Sequence, residues 1–131
     1  PLKKQGIPVI IHPTMMRSSG VGKNASMETS AKLIAAGVQI AMGSGYESYV
    51  PKTRVVLWEA AIACAYGCSF EDALGMITLS AAELLGVDDR IGSIEVGKDG
   101  DVALYDGDPF EYTTHRVGTV IEGQVVSEAV R

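Results

Sequence analysis

At 131 residues the chain is about one domain long. With 47% hydrophobic and 21% charged residues it has the composition of a packed globular protein, which argues against disorder. The net charge is -5 and the basic residues are scattered, which argues against nucleic acid or an anionic membrane surface as a partner. No apolar run approaches the roughly 20 residues of a membrane span. Two cysteines, Cys64 and Cys68, are too few for a disulfide framework, so a reducing, cytoplasmic setting is expected.

The chain starts at Pro1-Leu2-Lys3-Lys4, without an initiator Met, and Pro1 to Gln5 reads as a helix tail stopped by Gly6. This predicts a piece of a longer protein. Ile7 to Ile11 is a short apolar run expected to form a buried strand, with proline tolerated at its start. His12 follows at the strand's carboxyl end. Met15 to Ala25 reads as a loop. Ser26 is the predicted cap of a helix running to Ala36, with Leu33 and Ile34 on its buried side and Gly37 as its stop. Val38 to Met42 is a second buried strand, so strand, helix and strand predict a right-handed crossover in a parallel sheet. Gly43-Ser44-Gly45 breaks it, and Tyr46 to Lys52 leads to a helix capped by Thr53 and stopped at Gly67. Polar loops after the carboxyl ends of parallel strands are where α/β folds hold their chemistry.

Two short helices follow, one capped by Ser69 and one by Ser80, the second stopped at Gly86. From Ile91 the signals are β: a strand over Asp101 to Tyr105, a turn at Asp106-Gly107-Asp108-Pro109, and a hairpin joining Val117 to Ile121 with Gln124 to Val126 through Glu122-Gly123. The expected division is an α/β portion, 1–87, and a β-rich portion, 88–131.

The stretch Ser80-Ala81-Ala82-Glu83-Leu84-Leu85-Gly86-Val87-Asp88-Asp89-Arg90-Ile91-Gly92-Ser93-Ile94-Glu95-Val96-Gly97-Lys98-Asp99-Gly100-Asp101-Val102 resembles the carboxyl-terminal signature of the amidohydrolase superfamily. Asp106-Gly107-Asp108-Pro109 and Val120 to Val126 resemble the same ending, most nearly in the imidazolonepropionase-related branch of that superfamily. The resemblance implies an α/β fold: the last two β/α units of a metal-dependent (β/α)8 barrel, followed by part of a small β-sandwich. It implies hydrolysis of a non-peptide carbon-nitrogen bond, such as a cyclic amide, in a small-molecule substrate by a metal-activated water. The divalent metal, zinc by expectation, belongs to the whole family member. Its histidine ligands would precede Pro1, and with two histidines and no His-x-His pair this chain alone is expected to hold none. The second reading is a non-catalytic module derived from such an enzyme, completing a barrel with another chain. Either way a homo-oligomer, or pairing with the missing barrel portion, is expected.

In that family an aspartate follows the eighth strand in a Gly-Ser/Thr-Asp run. Here the run is Gly43-Ser44-Gly45, and Glu47, two residues on, is the catalytic candidate in its place. His12, Ser44, Gly45, Tyr46, Tyr49 and Arg54 are the candidate substrate contacts, Arg54 because its fork suits a carboxylate. His115 is expected to be a solvated loop residue, Trp58 a core residue, and the cysteines buried helix residues. Ser18 to Asn24 resembles a phosphate loop but lacks its first glycine, where Arg17 stands, and its Ser/Thr, where Asn24 stands. It is set aside as a nucleotide site in favour of a loop over the barrel mouth.

Overall fold

A computed structural model describes residues 1–12, 25–44, 46–47, 50–51 and 55–128, with 46–47 and 50–51 described as backbone. The first helix, α1 (Leu2–Gln5), ends as the sequence predicts, with Gly6 in the left-handed conformation. Strand β1 (Val9–Ile11), helix α2 (Thr29–Ala35) and strand β2 (Ile40–Met42) follow, and the two strands pair in parallel from Val9↔Ile40 to Ile11↔Met42. Both strands are shorter than their apolar runs.

Helix α2 begins later than expected, because its cap residue is Glu28. Ser26 instead accepts from the Glu28 amide, in a turn just ahead of the helix. Strand β2 is buried along its whole length, whereas Ile10 at the centre of β1 is exposed.

A short antiparallel ladder follows β2: β3 (Tyr46–Glu47) pairs with β4 (Val50–Pro51) where the sequence predicts a loop. The expected cap Thr53 lies outside the described residues. Helix α3 (Val56–Ala65) then packs on β2 and on α4 (Phe70–Met76). Ala60 and Ala63 of α3 and Ala73 of α4 have no exposed surface, and such small side chains let the backbones approach closely. Together with Val38, Ile40, Met42, Cys68 and Met76 they form the core.

Trp58, expected in that core, is 56% exposed. The stripe that α3 buries is Glu59, Ala60 and Ala63, and Trp58 falls outside it. Cys64 is half-buried on α3 and Cys68 is buried beyond the helix, past the Gly67 stop; both are free thiols. Burial pushes the Cys68 thiol up from its ordinary pKa, with Asp72 and Cys64 adding to the effect.

Ser69 caps α4 as expected, its hydroxyl accepting from the Asp72 amide at 3.0 Å. Ser80 does not cap the next helix. α5 (Leu79–Leu85) starts two residues earlier than expected, with Thr78 at its cap position, and Ser80 lies inside it. Gly86 ends α5 in the left-handed conformation, and Gln39 donates to Glu83 at 2.9 Å, tying the edge of β2 to α5.

The rest is a three-stranded antiparallel sheet, β5 (Val102–Tyr105), β6 (Arg116–Ile121) and β7 (Gln124–Glu128), in that order. Glu122 and Gly123 both take positive φ at the β6–β7 turn, as a two-residue hairpin requires.

Candidate functional site

The carboxyl ends of β1 and β2 lie level, because Ile11 pairs with Met42 and the Gly43 amide donates to the Ile11 carbonyl at 2.8 Å. His12 therefore leaves the sheet beside Gly43 and the half-buried Ser44. Gly43 suits this close approach: a Cβ there would stand 3.0 Å from the Ile10 side chain.

Behind the strand ends lies Glu59, in the first turn of α3, with a side chain that has no exposed surface. Its Oε1 is 3.1 Å from Nδ1 of His12, whose side chain is 24% exposed. Both ring nitrogens of His12 are themselves buried, and neither meets hydrogen-bond geometry with another group among the described residues. A buried carboxylate is costly unless it is paired, and the amino end of a helix favours negative charge. Both conditions place Glu59 where it stands. An imidazole beside a carboxylate can donate from one nitrogen and keep a second free for another molecule.

Sequence reasoning singled out His12 and missed Glu59. The signal was present, since Glu59 is the one charged residue in the otherwise apolar run Val56 to Ala65. Of the other candidates, Tyr46 and Glu47 have their backbones in β3, in register with Pro51 and Val50. Gly45, Tyr49 and Arg54 lie outside the described residues, as does the loop 13–24. His115 stands in the loop before β6, 73% exposed, with Nδ1 3.8 Å from an Asp106 carboxylate oxygen. Among the described residues no group of three or more His, Cys, Asp or Glu side chains is placed to hold a metal ion.

A separate groove of about 200 Å³ runs between α3 and the segment after β5, lined by Leu57, Trp58, Ala61, Pro109, Phe110 and their neighbours. Phe110 also packs its ring against Phe70, centroids 5.0 Å apart. None of the strand-end residues lines this groove.

Parallel strands joined through a helix, ending level on a histidine and a Gly-Ser pair, define an α/β protein. The sequence profile of the amidohydrolase family matches residues 16–127. The chain belongs to the amidohydrolase family. It is 35% identical over 94 residues to an imidazolonepropionase of Bacteroides thetaiotaomicron, a match that covers 66% of this chain and 21% of that protein. It superposes on an amidohydrolase from Thermotoga maritima with a TM-score of 0.85 and 36% identity, over 98% of this chain and 33% of that one. A 5-methylcytosine deaminase from Klebsiella pneumoniae shares the fold, with a TM-score of 0.73 at 18% identity, over 99% of this chain and 36% of that one. The chain thus spans about a fifth of the curated relative and about a third of each of these solved structures.

Proposed function

We propose that the chain is the carboxyl-terminal part of an amidohydrolase-type enzyme that hydrolyses a non-peptide carbon-nitrogen bond in a small molecule. In this reading residues 1–87 supply the last two β/α units of a (β/α)8 barrel and residues 88–131 part of a small β-sandwich. The observation that carries it is the level ending of β1 and β2, within a chain similar over nearly its whole length to the Thermotoga maritima amidohydrolase.

In the family a divalent metal supplies an activated water. Among the described residues no ligand cluster for that metal is present, and in this reading its ligands would come from the rest of the enzyme. This chain's own residues line and shape the substrate site. His12 and Ser44 would contact substrate beside the strand ends, together with Gly45, Tyr46, Tyr49 and Arg54. Glu47 would serve as the carboxylate that the Gly43-Ser44-Gly45 run lacks. Because imidazolonepropionases are among the relatives, imidazolone propionate and other cyclic amides are the first substrates to test.

The second reading, a non-catalytic module that completes a barrel with another chain, is favoured by one observation: glycine stands at position 45, where the family carries its aspartate. Intact mass, bound metal and hydrolysis of a cyclic-amide panel, all measured on the purified, unclipped gene product, separate the two. A mass near three times this chain's, with metal and turnover, supports the enzyme. A product of this chain's own mass, without turnover, rejects it for the module.

A further inference from the structure

A carboxylate with no exposed surface sits 3.1 Å from one nitrogen of a histidine at a strand end, and the other nitrogen of that ring is buried with no hydrogen-bond partner among the described residues. A carboxylate can only accept from the ring, so the nitrogen facing it must carry the proton. In a neutral imidazole the proton then sits on Nδ1, and Nε2, on the other side of the ring, keeps its lone pair. The contact lies at hydrogen-bonding distance but off its preferred angles, and the χ2 torsion that orients the histidine ring is a soft one.

We propose that Glu59 is a positioning residue for His12: it fixes the Nδ1–H tautomer, so that Nε2 accepts a hydrogen bond from an N–H or O–H of the substrate. The substrate class this selects is one with a donor beside the bond to be cleaved, such as the ring N–H of a cyclic amide or amidine. The inference rests on the strand ends being the substrate site, but the tautomer is observable without any turnover.

On the unclipped gene product, two-bond proton–nitrogen spectra of the ring nitrogens show one spin system per histidine, and those lost in His12→Gln and in His115→Gln are thereby assigned to these two residues. At about pH 8.5, above the range where a free imidazole titrates, His12 is expected in the Nδ1–H form. Glu59→Leu is expected to lower its Nδ1–H to Nε2–H ratio roughly tenfold, the weight of one charge-assisted hydrogen bond, while His115 stays unchanged. If Glu59→Leu does not fold, the unmodified protein and the same-shaped Glu59→Gln decide, the latter with an intermediate ratio. A predominant Nε2–H form of His12 in the unmodified protein overturns the proposal, as does an unaltered ratio in a folded variant.

In the active full-length gene product, Glu59→Gln is expected to raise KM for a substrate bearing the N–H, with little change for its N-methyl analogue. Equal losses on both reject the assigned substrate contact. Absence of hydrolysis with the Nδ1–H form intact overturns the functional reading alone.

Discussion

Gly92 and Gly97 have nearly the same positive φ, 96° and 97°, yet they differ in what surrounds them. A Cβ on Gly92 would lie 2.7 Å from Cβ of Ala82 and 3.0 Å from the Leu79 backbone, while one on Gly97 would meet nothing within 4 Å. Gly97→Ala is therefore expected to cost only the backbone strain, about 1–2 kcal/mol. Gly92→Ala adds overpacking against α5, about 1–3 kcal/mol more. Urea denaturation of both variants checks this, and equal losses would refute the packing account. Between these glycines, Glu95 accepts from Ser93 at 2.5 Å and pairs with Lys98 at 3.3 Å, and Lys98 also reaches Ser93 at 2.6 Å. The hydrogen bond from Ser93, then that from Lys98 and its charge, hold the Glu95 carboxyl below its ordinary pKa. A lowered folded value means that this contribution to stability is present above the ordinary carboxylate range and is lost as pH falls through the folded value. Carbon-detected titration of Glu95 should show the depression, and Ser93→Ala should move it back toward an ordinary glutamate.

At the scale of elements, a capping residue must stand where the helix begins, and two serines show the difference. Ser69 holds the Asp72 amide at the start of α4, whereas Ser80 lies one residue inside α5. Ser69→Ala is expected to cost about 1 kcal/mol. Ser80→Ala should stay within about 0.5 kcal/mol of zero, since no cap is removed and alanine favours the helix interior. Matching losses by thermal denaturation would mean that α5 starts at Ser80 after all. The loop from Arg90 to Asp99, which carries the family resemblance, is itself a structural clasp. Arg90 donates to the Asp99 carboxylate at 2.6 Å, and the Asp99 amide returns a bond to the Arg90 carbonyl at 2.8 Å. The recognisable residues there hold the loop's own backbone in place.

Among the described residues of the whole molecule, many large apolar side chains stand open to solvent. Ile7 and Ile10 beside the two-stranded parallel sheet, Trp58 and Tyr66 on and after α3, and Leu104, Ile121, Val125 and Val126 of the antiparallel sheet are all exposed. Two parallel strands have open edges and need neighbours on each side, a condition a closed barrel satisfies. The 131-residue chain alone is accordingly expected to self-associate. Light scattering over a dilution series tests this, and a single monomeric species at every concentration would count against it.

The helix stops at Gly6 and Gly86, the Ser69 cap, the β6–β7 hairpin and the parallel β1–β2 pair were legible in the chain, because each rests on local backbone chemistry or a short apolar run. The family was legible too, through the Arg90 to Asp99 clasp and its flanks. Local pattern could not say which side of α3 turns inward. Trp58 is the largest apolar residue there, yet the close approach of β2 and α4 admits only alanines and the buried carboxylate, and leaves Trp58 outside. Nor could it pair His12 with Glu59, 47 positions apart in sequence and 3.1 Å apart in space. Periodicity reports how polar a position is. Which two polar groups share a buried space is decided only when strand and helix are brought together.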